Sequence, residues 1–497
     1  MRLFPRAAAL LLLAAALTAQ TASDFLAKHY QPLSPDDFRP TLLDTAGKEV
    51  ILLGESHGIA ISNDLDLAFL QYLHETAGVR YYLTELSYSE GCLLNRYFDT
   101  GDEKLLDFMF RELHGTIAWT REYRDFFARM REWNLTLPAE KRVQVVAVDL
   151  EHQERVALWY LAELAKGREA PAAIRDTISR LAQLAAGEAP MESRFSFSSE
   201  LAASLQEHAD DYSALLGDDL FAFRLVAANL ENAREYYGLK DSNKSNQLRD
   251  RVIYETFLKV RPRLAPGRFY GRWGAAHVTL APSRDCHWFG CLLNRTGSPV
   301  AGKILGIRLI YRNSEHLIHS ERGDYRVMAG SELSKLADQL AAASKSTLAL
   351  FRVSGARDSS LAPGGVQYLV LIDGATAAHP LEGTPREPQT LGPAAVVENT
   401  VPENGSHVPP DTAEIRITFS REMSRSSMSW VVAGEGTFPK MIGVPAFEAD
   451  GRTMVAKVKL EPSRTYAMWL NSWNFKSFVD VDGQPAVPYL LVFHTTK

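Results

Sequence analysis

The stretch Val50-Ile51-Leu52-Leu53-Gly54-Glu55-Ser56-His57-Gly58 decides how this chain is read. Four consecutive apolar residues mark a buried strand, because a strand covered on both faces has no polar alternation. Gly54 and Gly58 then let the backbone turn tightly around a carboxylate, a hydroxyl and an imidazole. A helix is predicted to begin at Ser62 or Asn63, with Asp64 and Asp66 in its first turn and Gly78 beyond its end. Glu55 and His57 thus sit in a strand-to-helix loop. In open sheets of this kind ligands bind outside the carboxyl ends of the strands.

Working outward, similar short runs occur at Arg80–Thr84, Val143–Val148, Arg268–Trp273, Leu305–Tyr311, Leu348–Val353 and Val366–Ile372. They alternate with longer segments of helical period, the pattern of an α/β fold with a mainly parallel sheet flanked by helices. Between about 151 and 260 apolar residues recur every three or four positions, which predicts a helical insertion. Such a block forms either one wall or lid of a cleft or an extra packing layer.

Three more strands end in ionisable groups. Arg80–Thr84 runs into Glu85, Val143–Val148 into Asp149 with Glu151 and His152 beyond, and Arg268–Trp273 through Gly274-Ala275-Ala276 to His277. Taken singly, Glu55 and His57 could satisfy loop amides, and Glu85 could cap a helix. Together the four strand ends put acids and imidazoles on one rim. There a carboxylate orients a histidine, raises its basicity or acts as a separate acid.

The 497 residues exceed one ordinary core and suggest several folding units. Arg2 and Arg6 precede an apolar run, Ala7 to Ala19, too short to cross a bilayer, so residues 1–22 read as a signal peptide and the protein as secreted or periplasmic. No later run is long enough for a membrane span. A formal net charge of −6, with dispersed lysines and arginines, excludes nucleic acid as the main partner. Of three cysteines, Cys286 and Cys291 are spaced for a small disulfide loop and Cys92 stands apart. The α/β domain is expected over 23–378. Prolines crowd residues 379–397, a linker. Alternating runs over 398–497 predict a small all-β sandwich. Through Val401-Pro402-Glu403-Asn404-Gly405, Ile417-Thr418-Phe419-Ser420 and Phe493-His494-Thr495-Thr496 this part resembles bacterial Ig-like domains, which implies surface or protein contact.

The segment Gly54 to Gly58, the strand ending in Glu85, Asn95-Arg96-Tyr97, Trp119-Thr120-Arg121-Glu122, Val148-Asp149 and Arg249-Asp250-Arg251 resemble, in order, the landmarks of the erythromycin esterase-like family. The resemblance implies hydrolysis of an ester, lactone or amide of a small-molecule substrate without cofactor. His57 would activate water, helped by Glu55, Glu85, His277 and Arg249. An arginine can hold the developing oxyanion, and no nucleophile elbow surrounds Ser56. Two departures stand out: only Ser56 separates Glu55 from His57, where the family usually has two residues, and Gly274 replaces a histidine three residues before the last one. The short motif is also similar to a wider superfamily with haem-binding and metal-dependent members. There His57, Glu85 and His277 would ligate a divalent metal. A non-catalytic ligand-binding protein is the third reading.

Overall fold

The computed structural model describes residues 22–497 except 36, 188–190, 282–286, 320–324, 330–332, 382–393, 426–427, 435, 473–476 and 482–483. Residues 1–21 of the expected signal peptide, Cys286 and most of the expected linker lie outside the described residues. The chain divides into two compact units, Met1–Arg386 and Glu387–Lys497. No helix among the described residues is long and apolar enough to cross a membrane.

After a short helix at residues 22–28 (α1) and the strand Tyr30–Pro32 (β1), the first unit alternates strands and helices. The strand Val50–Glu55 (β2) leads to Ile61–Ala77 (α2), Val79–Ser87 (β3) and Tyr88–Thr100 (α3). Glu103–Glu112 (α4), Arg121–Thr136 (α5) and Gln144–Asp149 (β4) follow. Six helices then intervene: Glu154–Ala165 (α6), Arg175–Ala186 (α7), Met191–Glu207 (α8), Ala209–Leu216 (α9), Leu220–Gly238 (α10) and Ser242–Val260 (α11). Arg268–Gly274 (β5), Phe289–Asn294 (α12), Ile304–Arg312 (β6), the hairpin Glu315–His319 (β7) and Tyr325–Ala329 (β8), Ser334–Ser344 (α13), Leu348–Arg352 (β9) and Tyr368–Asp373 (β10) complete the unit.

Eight strands form one sheet in the order β1-β9-β10-β6-β2-β5-β3-β4. The pairs from β10 through β4 are parallel; β9 runs against them and pairs antiparallel with β10 on one side and with β1 on the other, so β1 again points the same way as the parallel block. Every residue of β2 is buried, as its unbroken apolar run requires. One core cluster joins Ile51 and Leu53 to α2, α3, α4 and α5; another joins Val50 and Leu52 to α11 and α13. Helices therefore cover both sheet faces. The insertion has a core of its own, built on Leu158, Leu161, Phe197, Tyr212, Phe223 and Leu230.

The predicted start of α2 needs correction. It begins at Ile61, and neither Ser62 nor Asn63 caps it. Ser62 Oγ bonds the Tyr311 hydroxyl at 2.8 Å, and Asn63 accepts from Arg272 at 2.9 Å. Both polar side chains are used in tertiary contacts. Gly78 closes the helix in the left-handed region as predicted, with φ 68°.

The second unit holds two small sheets. One orders Val397–Val401 (β11), Glu414–Phe419 (β13), Thr453–Lys459 (β17) and Lys440–Met441 (β15), with Ala446–Phe447 (β16) also on β17. The other orders His407–Val408 (β12), Tyr489–Thr495 (β19), Thr465–Leu470 (β18) and Trp430–Val432 (β14). Ile415, Ile417, Phe419, Met454 and Ala456 from the first share one core with Met468, Leu470, Leu491 and Phe493 from the second, a β-sandwich.

Candidate active site

Because β2, β5, β3 and β4 are neighbours, their carboxyl ends form one continuous rim. Glu55 ends β2, Glu85 lies two residues before the end of β3, Asp149 ends β4, and β5 delivers Gly274 with His277 just beyond. The His277 amide donates to the Gly274 carbonyl at 3.0 Å, and the Ala275 amide to the Glu55 carbonyl at 2.8 Å. This turn folds His277 back over the strand ends.

His57 Nδ1 lies 3.1 Å from Glu55 Oε1. Glu55 is buried and also accepts from Arg272 Nη1 at 2.8 Å. Burial alone would raise its carboxyl, but Arg272 and His57 hold it below the usual carboxylate range. An ionised Glu55 needs a donor, so Nδ1 carries the proton and Nε2 offers its lone pair. The His57 side chain remains 44% exposed. Burial works to lower its pKa, yet the bond to Glu55 and the charges of Glu85 and Glu55 outweigh this and raise it above the ordinary 6.5.

Two glycines shape the loop around this imidazole, one through a close backbone approach and one beside the ring. At Gly58, φ is +81° and a Cβ would fall 2.1 Å from the Leu317 carbonyl oxygen, so no side chain fits. At Gly274 a Cβ would stand 3.0 Å from His57 Nε2, 3.4 Å from its Cε1 and 3.5 Å from His277 Cδ2. The two departures from the family pattern thus meet in space: the ring on the shortened loop packs against the glycine.

His277 is held differently. Its Nδ1 is 2.8 Å from Asp250 Oδ1 and its Nε2 3.2 Å from Glu85 Oε1, with only 7% of the side chain exposed. Burial opposes charge, but Glu85 and Asp250 prevail and push the pKa up to about 10. His277 is therefore a fixed imidazolium at neutral pH. Glu85 also accepts from Arg249 Nη2 at 2.7 Å and from the Gly274 amide at 2.8 Å. Despite burial, His277 and Arg249 keep it well below the usual range. Arg249 Nε and Nη2 fork onto Asp149 at 3.1 and 2.5 Å. Its Nη1 makes no hydrogen bond or ion pair among the described residues. Arg251, one residue from the site helix face, is 60% exposed beside Glu255.

The expected site residues Glu55, His57, Glu85, Arg249 and His277 are thus brought together. The sequence reading missed Asp250, Arg272 and the role of Asp66. Arg272 ties Glu55 to Asp66 Oδ2 at 3.0 Å and to Asn63, with its guanidinium 5.3 Å from the Tyr123 ring. Asp66 is fully buried and accepts from Tyr82 at 2.6 Å and Tyr270 at 2.9 Å, and burial pushes its pKa up to about 6. The sequence did carry a cue: an arginine inside an otherwise buried strand must find a charged partner. Glu151 is buried beside Ser89, which donates from N at 3.2 Å and Oγ at 2.5 Å. Burial, with Glu90 nearby, pushes its pKa up to about 8.

The cleft above these groups measures ≈ 380 Å³. Glu55, His57, Glu85, Arg249 and Arg272 line its floor, and Leu113, Ile117 and Tyr237 line its walls. Tyr237, 50% exposed on α10, bonds His152 Nδ1 at 2.8 Å, so the helical insertion supplies one wall. The alternative metal set is poorly suited to a cation: both His277 nitrogens face carboxylates and both Glu85 oxygens already accept. No three His, Cys, Asp or Glu side chains among the described residues converge as metal ligands.

The family model for erythromycin esterases matches residues 74–268. Among solved structures, a Bacillus cereus protein is similar at 14% identity and TM-score 0.54, covering 74% of this chain and 99% of its own. A succinoglycan biosynthesis protein is similar at 13% identity and TM-score 0.57, covering 73% and 99%. An erythromycin esterase EreC mutant in its open conformation is similar at 14% identity and TM-score 0.53, covering 71% and 100%. These likenesses show the fold. No curated protein matches the chain.

Proposed function

We propose that the chain, whose residues 74–268 match the family model for erythromycin esterases, is an exported hydrolase that cleaves a small-molecule ester, lactone or amide with water activated by His57. Family and fold suggest hydrolysis; the roles of individual residues are our reading. The observation that carries it is the half-open His57 ring, held at Nδ1 by Glu55 and bordered at Nε2 by Gly274.

In this reading Nε2 takes a proton from water while the oxygen attacks the substrate carbonyl. The two unused Nη1 hydrogens of Arg249 receive the developing oxyanion. The imidazolium then returns the proton to the leaving oxygen or nitrogen as its bond to the acyl carbon breaks and the carbonyl re-forms. Glu55 holds the required tautomer and stabilises the cation. His277, already protonated, positions Glu85, whose charge further supports the His57 cation. The chemistry needs no cofactor. Export rests on Arg2, Arg6 and the apolar run up to Ala19. The second unit is read as an Ig-like module for surface or protein contact.

The test is hydrolysis of a panel of aryl esters and macrolide lactones by wild type and His57→Ala, each with and without chelator. Activity lost in the variant and unaffected by chelator is expected. Chelator-sensitive activity would replace this reading with a metallohydrolase, and inactivity of the wild type on the whole panel would count against catalysis.

A further inference from the structure

We propose a second binding site, for a small oxyanion, at the opposite edge of the same sheet. A pocket of ≈ 410 Å³ opens near the amino ends of β3 and β4 and is lined by Arg80, Arg131 and Arg142 together with Asn95, Asn134 and Asp99. Three guanidinium groups share this space with one carboxylate. Among the described residues none of the three arginines forms an ion pair, and Asp99 forms none either.

Each guanidinium brings five N–H donors. Few of them are used: Arg131 Nε donates to the Tyr97 carbonyl at 3.1 Å, and Arg80 Nη2 reaches the Arg142 carbonyl at 3.5 Å, the limit of a hydrogen bond. Among the described residues, Arg80 Nε and Arg142 Nε are buried without a hydrogen-bond partner. Burying donors unpaired and gathering like charges both cost free energy. An anion in the pocket offsets both costs at once, and the planar guanidinium fork matches a phosphate or carboxylate group.

The walls are fixed before any ligand arrives. β4 is the edge strand of the sheet, and asparagines complete its free edge. Asn95 exchanges two bonds with Val145 at 2.8 and 2.9 Å; Asn134 exchanges two with Val143 at 2.9 and 2.7 Å. Arg131 lies 5.6 Å from the Tyr97 ring centroid and packs over Gly101, where a Cβ would come within 2.5 Å of Nη2. Its position is thus set by an aromatic face and a glycine in the left-handed region, leaving its outer nitrogens for a ligand. A rigid frame around underused donors is what preorganised anion binding requires.

The test is isothermal titration of the full chain with inorganic phosphate and, separately, with citrate, at ionic strength held constant with chloride. Saturable binding of at least one is expected, and the stronger arm identifies the class of oxyanion. Arg142→Gln and Arg131→Gln should each weaken it about tenfold or more, the loss of a charge-assisted contact. Arg131→Lys, which keeps charge and bulk over Tyr97, provides a folded control with an intermediate loss. Hydrolysis of an aryl ester by these variants should stay within about twofold of wild type, since none lines the catalytic cleft. Absence of saturable binding in both arms, or equal affinity in wild type and both glutamine variants, would overturn the proposal.

Discussion

The carboxyl ends of β2 and β5 present the same side chain in two settings. His57 meets one carboxylate, at Nδ1, and keeps nearly half its surface open to the cleft. His277 meets two, Asp250 and Glu85, and is closed off. The first ring retains a lone pair that can take a proton, whereas the second has neither a free nitrogen nor a neutral state near pH 7. In the proposed mechanism, the number of carboxylates around each imidazole separates the base from the fixed cation.

The sharpest way to break this comparison is to delete each ring's function in turn. His57→Ala should lower kcat/KM by about 10²–10⁴-fold, the span of general-base catalysis. Its melting temperature should barely move, because the ring is half exposed. Asp250→Asn should act the other way, destabilising the fold by about 3–5 kcal/mol in denaturant titrations as one partner of a buried pair is lost. Arg249→Lys keeps charge but loses the fork on Asp149; kcat should fall about 10–10²-fold with a smaller change in KM. Gly274→Ala would press a methyl group on His57 Nε2 and cost about tenfold in kcat/KM by misplacing the base.

The pH profiles separate the rings further. His57 must be neutral to act, so kcat/KM should rise with pH through an apparent pKa above 6.5. His277 has a folded pKa near 10 against 6.5 unfolded. Its stabilisation is complete below about pH 6.5 and is lost as pH climbs toward 10. Glu151, raised from 4.5 to about 8, loses its contribution over that lower window. Glu151→Gln should therefore flatten the stability profile between pH 4.5 and 8, and Asp250→Asn should weaken the decline above it. The smallest effect is expected from Ser56→Ala, under about twofold in kcat, since no step passes through that hydroxyl.

The large sheet was legible because its seven longer strands are apolar runs bounded by turn residues, and a buried parallel strand has nothing else to display. β1 spans three residues and the β7–β8 hairpin mixes polar and apolar residues in two five-residue strands, so neither left a pattern of adequate length. Glu55, Glu85, Asp149 and His277 could be read because each follows such a run. The partners of Arg272 could not: it lies inside the strand, two positions before the rim, so its sequence position signals only the need for a charged partner, and the folded structure shows that these are Asp66 and Glu55. Asp250 was hidden between two arginines of α11, where helical twist decides which of three adjacent charges turns inward. Asp66, expected in the first turn of its helix, is anchored by two tyrosines from β3 and β5. Long-range pairing of this kind has no local pattern to announce it.

The division of labour between the two imidazoles is tested most directly by ¹⁵N NMR titration of the histidine rings, assigned with His57→Ala and His277→Asn. The account predicts that the His57 ring loses its proton at the same apparent pKa as the rising limb of kcat/KM, while the His277 ring stays cationic past pH 9. A His277 ring that turns neutral below pH 7, or a His57 ring that remains protonated across the range where hydrolysis is fastest, would contradict it.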